Sequence, residues 1–402
     1  SSIANLNQRP RVWLEGYHSM GWSATPERLM FATRENYLYG CTLLNLHGLY
    51  YTTYGSHWEW APPCYHFRMP YWVHMGTFLK YFERLSYLMS QGHTVADVAI
   101  IYPVAPYEAE MDGDAAKNTA FDLGKKLLAA GINFEFIDHQ SLARAEVKDG
   151  HLVLPTAGAS YQALIFPGME AVRWKSIEKA AAFAQAGGTV LAVGALPTVT
   201  DRAGRNDAQL ENLNEQAFAA ECRLPSTEAA LERIRHAFVQ DIHGLSGTVR
   251  TLHRKIGPRD AYLVMDAKPG DVVEFRAKGA VEIWDPWTGA VRPLRVVRET
   301  ATGTQVELTL QPYEAQLVMF TPGAKHHNPA KQNASRSVVK TLPNEWTVSF
   351  VPTMDNRYGD FRLPVTPENH TIGLEARRFA WARETPELAS AAMLPHTDDS
   401  AW

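Results

Sequence analysis

Cysteine is scarce in this chain. Cys41, Cys64 and Cys222 are all it has in 402 residues. Three thiols at such spacings neither build a disulfide framework nor close a metal site. Apolar runs are short, and none approaches the ~18 residues of a membrane-spanning helix. Cationic runs are missing as well, and the formal net charge is -4 at pH 7. That argues against nucleic acid as the main partner. The pair Gly187-Gly188 precedes a strand-like run, whereas a phosphate loop follows a strand and opens a helix, so no nucleotide is expected. No Cys or Ser sits at a sharp strand-to-helix elbow, which argues against acyl-transfer chemistry there.

What is present is apolar and aromatic. Hydrophobic residues make up 46% and charged residues 20%, with 11 Trp, 16 Tyr and 16 Phe. Such a chain buries a sizeable core and holds two to four domains.

The stretch from Arg11 to Trp72 organises the reading. Arg11-Val12-Trp13-Leu14 is a short strand with Glu15 at its C-terminal end. Thr25-Pro26-Glu27 supplies an N-cap, a first-position Pro and a first-turn acid. Leu29, Met30, Thr33, Tyr37 and Leu38 follow at helical spacing, and Gly40 stops the helix. Cys41 to Leu46 is expected to be a second buried strand, ending at His47. Strand, helix, strand is the order of a parallel α/β barrel, whose chemistry lies at the strand C-termini. Glu15 and His47 would share that end.

Each of these residues has an ordinary role open to it. Glu15 also fits a helix cap or a salt bridge, His47 a strand end, and the aromatics a core under a loop. Their company points elsewhere. Sugars present apolar ring faces edged by hydroxyls, so their sites combine aromatic platforms with polar donors and acceptors on rigid loops. This stretch offers His18, Trp22, His47, Tyr50, Trp58, Glu59, Trp60, His66 and Arg68 near two strand ends.

The run EGYHSMGW, TPERL, NYLYGCTLLNLHGLYYTTYG, WEWAPPCYHFRMPYW and FLKYFERLSYLMSQGHTVADVAIIYPV resembles glycoside hydrolase family 106, the α-L-rhamnosidases. The resemblance implies a (β/α)8 barrel followed by smaller α/β and β-sandwich domains. It implies inverting, calcium-assisted hydrolysis of terminal α-L-rhamnose by two Glu residues. Glu15 matches the general base. His18, His47, His66 and Arg68 would hold sugar hydroxyls, and Trp58 and Trp60 would stack on the sugar. Calcium takes oxygen ligands, for which Asn45 and Glu59 are candidates. A bacterial enzyme of the periplasm or exterior is implied.

A complete (β/α)8 barrel takes ~250 residues, and only two barrel-type strands precede the next domain. We therefore expect residues 1–93 to be the C-terminal part of a catalytic barrel, with the general acid and the rest of the barrel outside these 402 residues. The apolar stripe Phe78, Leu79, Phe82, Leu85, Leu88 and Met89 marks its last helix. Residues 94–240 alternate strands and helices, which predicts a doubly wound α/β domain with a parallel sheet. It is similar to the amidotransferase-like domain behind many glycosidase barrels. Residues 247–323 turn to period two and predict a small antiparallel β-sandwich. Trp284 and Trp287 fit hairpin packing or an accessory sugar site there. Gly323 to Ser337 reads as a polar linker with His326 and His327 solvated. Residues 338–402 resemble part of a galactose-binding-like jelly roll. Two further readings stay open: a retaining β-glycosidase on a similar plan, and a non-catalytic carbohydrate-binding protein.

Overall fold

Thr25 begins the first long helix as its sequence requires. Its side chain accepts from the Arg28 amide, Pro26 takes the first helical position, and the helix runs Pro26–Leu38. Gly40 then adopts φ +78°, which a glycine reaches without strain. The computed structural model describes residues 1–21, 24–48, 61, 63–65, 69, 71–245, 247–268, 270–308, 310, 314–329, 341, 345 and 347. They form a mixed α/β chain with several sheets. Two compact units separate: Ser1–Tyr17, Ala24–Leu46 and Met75–Arg336 in one, and His18–Ser23, His47–His74 and Ser337–Trp402 in the other.

In the first unit, strands Trp13–Gly16 and Leu43–Leu46 pair in parallel. They are not fully buried, contrary to expectation: Trp13 is 60% and Leu43 41% exposed. Trp13 and Leu43 are register partners on one face of a two-stranded sheet, and that face is open. The helix Trp72–Met89 also differs in detail. Leu79, placed in the apolar stripe, is 45% exposed, whereas Tyr81 is fully buried. The Tyr81 ring takes the packed face through its contact with Trp287, while Leu79 turns outward.

The α/β region has a five-stranded sheet in the order Arg223–Leu224, Thr189–Val193, Ala163–Phe166, Val98–Ile101, Phe134–Ile137, all parallel. Its central strands read as unbroken apolar runs because helices cover both faces. Ala99, Leu164, Phe166 and Ala192 pack with Ile177, Ala180 and Ala181 of the helix Trp174–Gln185. Val98, Ile100, Ile165 and Leu191 pack on the other side with Leu123, Leu127, Ala230 and Ile234. Gly187-Gly188 ends the helix: Gly187 has φ +88°, and a Cβ on Gly188 would lie 2.1 Å from the Phe183 ring. An antiparallel trio, Glu146–Lys148, His151–Leu154 and Ala159–Tyr161, decorates this region.

The β region has two antiparallel sheets. One orders Ile242–Gly244, Asp271–Phe275, Thr304–Leu308 and Val296–Glu299. The other orders Val291–Pro293, Ala280–Trp284, Ala315–Thr321, Arg259–Met265, Arg250–Ile256 and His93–Thr94. Tyr262, Val264, Phe275, Val306, Val318 and Phe320 form the core between them. Trp287 packs on the Tyr81 ring at 4.4 Å, so it anchors the long helix rather than its own hairpin. His326 is not simply solvated: its Nδ1 accepts from the Val281 amide at 3.2 Å, and Nε2 meets Asn328 Oδ1 at 2.9 Å. This fastens the linker to the sandwich. The jelly-roll segment from residue 348 onward lies outside the described residues.

Polar bridges tie these parts. Arg250 grips Glu35 of the first helix and Asp266 of its own hairpin, while Arg34 reaches Asp266 at 2.7 Å. Arg276 of the sandwich holds Asp97 beside the parallel sheet at 2.9 and 3.0 Å. His253 lies between Asp241 at 2.8 Å and Asp260 at 3.1 Å, stacked on Tyr262.

Candidate active site

Strand alternation decides what the parallel pair presents. In the register, Trp13 faces Leu43 and Glu15 faces Asn45. Side chains two residues apart share a face, so Trp13, Glu15, Leu43 and Asn45 all stand on the open side. All four are exposed. Neighbouring strands lie about 4.8 Å apart, so a carboxylate and an amide stand side by side at the C-terminal end of two parallel strands. An amide there donates and accepts toward a bound hydroxyl, and a carboxylate accepts a proton.

The turn after Glu15 is held from below. Tyr17 adopts φ +69°, a left-handed conformation that is uncommon for a bulky residue. It is 6% exposed, and its hydroxyl lies 3.0 Å from Thr33 Oγ1, which itself donates to the Leu29 carbonyl. Burial pushes the phenol up to about 12. Tyr17 therefore stays a neutral hydrogen-bonding peg under the strand end. Nothing in the sequence reading singled it out, because its role depends on backbone sign rather than residue type.

In the second unit, His18 and His47 come together with ring centroids 5.6 Å apart, edge to face. The Tyr65 amide donates to the Gly48 carbonyl at 3.1 Å, and its hydroxyl meets Met20 Sδ at 3.5 Å. Tyr65 is 2% exposed and thus packs rather than lines a cleft. The remaining predicted residues, Trp22, Tyr50, Trp58, Glu59, Trp60, His66 and Arg68, lie outside the described residues.

Calcium takes six to eight oxygen ligands. Asn45 offers one neutral oxygen, and among the described residues no group of three or more His, Cys, Asp or Glu gathers to hold a metal. The described residues therefore do not make a calcium site by themselves, and no step below runs through the ion. Among the described residues no helix is long and apolar enough to cross a membrane.

A protein of Formosa agariphila, provisionally named a beta-glucuronidase, is 24% identical over 384 residues, which cover 90% of this chain and 31% of that protein. The structure of a rhamnosidase from Novosphingobium sp. PP1Y superposes with a TM-score of 0.60 at 20% identity, over 87% of this chain and 34% of that one. A β-galactosidase from Bacillus circulans sp. alkalophilus superposes with a TM-score of 0.50 at 11% identity, over 80% of this chain and 57% of that one. The chain spans about a third of the length of the first two. The family description of the α-L-rhamnosidases matches residues 64–297, more than half of the chain. By that match, the chain belongs to glycoside hydrolase family 106, the α-L-rhamnosidase family.

Proposed function

We propose that these residues form part of a glycoside hydrolase that releases terminal α-L-rhamnose with inversion. The observation that carries the reading is the register pairing of exposed Glu15 with exposed Asn45 at the C-terminal end of two parallel strands. In that place a barrel enzyme keeps its chemistry. Residues 1–93 would be the C-terminal part of a (β/α)8 barrel, 94–240 an amidotransferase-like domain, 247–323 an accessory sandwich, and 338–402 part of a galactose-binding-like domain. The compartment would be periplasmic or extracellular.

The chemistry follows from the residue types. Inversion needs two carboxyl groups about 6.5–9.5 Å apart, with water between one of them and the sugar. Glu15 would take the proton from that water as it attacks the anomeric carbon. A Glu elsewhere in the full-length protein would protonate the departing oxygen. The Asn45 amide would orient the water or a ring hydroxyl beside Glu15. In their own unit, His18 and His47 are the candidates for sugar hydroxyls.

The test is hydrolysis of an aryl α-L-rhamnoside by the full-length protein and its Glu15→Gln variant. Loss of ~10³-fold or more in kcat supports Glu15 as base. An unchanged rate removes Glu15 from the mechanism. NMR of the first-formed sugar reads inversion against retention. A second reading, cleavage of a β-glucuronide with Glu15 as a nucleophile, is favoured only by the name of the Formosa relative. An aryl β-glucuronide assayed in parallel separates the two.

A further inference from the structure

A cavity of about 320 Å³ lies between the short N-terminal helix Ser2–Leu6 and the residues after it, the turn Pro155–Gly158 of the antiparallel trio and the sandwich edge. Asn5, Gln8, Arg9, His93, Gly158 and Arg254 line it. Arg254 is the feature that asks for an explanation. It is 5% exposed. Its Nε donates to the Gln91 carbonyl at 2.7 Å, Nη1 to Thr94 Oγ1 at 3.0 Å, and Nη2 to the Gly92 carbonyl at 2.9 Å. All three acceptors are neutral. A guanidinium has five N–H donors, so two are left over. Buried charges are normally paired, yet among the described residues no carboxylate forms an ion pair with Arg254.

The neighbouring acid is already engaged. Glu135 accepts from Tyr161 Oη at 2.6 Å and from Asn5 Nδ2 at 2.8 Å. Burial pushes its carboxyl upward, opposed by the Tyr161 and Asn5 bonds and, after them, by the nearby Arg254 charge. Burial lowers Arg254 to about 10, still charged at neutral pH. Burial, and after it the cations Arg254, His253 and Lys255, holds His93 below its ordinary value. Arg9 adds a second, exposed cation at the rim. The wall is cut to shape, because a Cβ on Gly158 would stand 2.8 Å from the His93 ring.

We propose that this cavity binds a small oxyanion, held by the two spare Arg254 N–H groups and by Arg9, with Asn5 and Gln8 as neutral partners. A carboxylate, a sulfate and a phosphate share the required chemistry: planar or tetrahedral oxygens that accept a forked pair of donors. The site is separate from Glu15 and does not rest on the rhamnosidase reading.

The experiment is isothermal titration calorimetry of the full-length protein with inorganic phosphate, inorganic sulfate and free glucuronate. Ionic strength is held fixed, because screening alone weakens such contacts. Saturable one-to-one binding of at least one probe is expected, weakened about 10-fold by Arg9→Glu and abolished by Arg254→Gln. The probe that binds most tightly identifies the source, a sugar acid or a tetrahedral anion. Arg254→Gln also removes a buried hydrogen-bond set, so if it unfolds, the exposed Arg9→Glu variant decides alone. Absence of saturable binding up to ~10 mM of every probe overturns the proposal. Binding that Arg9→Glu leaves unchanged also overturns it.

Discussion

Arg250 holds the Glu35 carboxylate with both terminal nitrogens, at 2.8 and 2.6 Å, although 215 residues separate them. Glu35 lies on the helix that follows the Glu15 strand, and Arg250 starts a sandwich strand. The side chains are only 17% and 18% exposed. Breaking a buried pair leaves a charge without its counterpart, which typically costs about 3–5 kcal/mol. Arg250→Ala should lower unfolding stability by about that much in urea titrations. Glu35→Gln should cost less, because the amide still accepts one bond. If both variants match the parent, the bridge is ornamental.

Asn45 is exposed on its strand, where substitutions usually change stability little. Asn45→Ala should therefore leave the melting temperature within about 1 °C of the parent while reducing kcat/KM on the aryl rhamnoside roughly 10-fold or more. A shift in melting temperature without a change in rate would place Asn45 in the scaffold instead.

The buried trio of His253, Asp241 and Asp260 gives a pH signature. Burial opposes charge on His253, but the two carboxylates outweigh it and hold the imidazole above its ordinary 6.5. Its stabilising contribution is complete below 6.5 and is lost as pH rises through the raised value. Asp241 is held below its ordinary 3.8, with burial opposed by His253. Its contribution is present above 3.8 and is lost as pH falls through the lowered value. Melting temperature should thus fall at both ends. His253→Gln should lower stability most below pH 6.5, by about 3 kcal/mol, and flatten the alkaline decline as that deficit shrinks with rising pH. A variant that keeps the parent's alkaline slope would rule His253 out as its source.

Gly92 has φ +63°, and an added Cβ would lie 1.8 Å from the Lys255 carbonyl oxygen. Gly92→Ala must both strain its backbone and push apart a sheet edge. A loss of about 2 kcal/mol or more is expected by chemical denaturation. A neutral result would mean that the His93–Thr94 edge opens at little cost.

Regular patterns in the sequence carried much of the fold. Val98–Ile101 and Ala163–Phe166 are legible because unbroken apolar runs suit a strand covered on both faces. Thr25-Pro26-Glu27 is legible because each residue answers a local backbone need. Arg250–Ile256 was not, although it lies inside a sheet. Thr251, His253 and Arg254 are buried in it, and periodicity reads polar residues as exposed. Their partners are distant in the chain and leave no local mark. The same limit hid the Arg254 cavity, which is assembled from four separate segments. Glu15 and His47 were visible as strand-end residues, whereas Asn45 entered only as a calcium candidate and His18 only as a candidate for sugar hydroxyls. The left-handed Tyr17 beneath them was not, since its sequence neighbours contain no sign of it.

The two-residue strand His93–Thr94 pairs with Lys255 and Arg254, so the chain that departs for the α/β region runs beside the chain that returns from it. Everything between is a loop pinched shut at its neck. A load pulling the long helix away from the sandwich would pass through this pinch and through the Trp287 contact, and would bypass the parallel sheet altogether. Under tension the neck should part first while the parallel sheet stays folded, as a padlock's body stays whole when its shackle is forced.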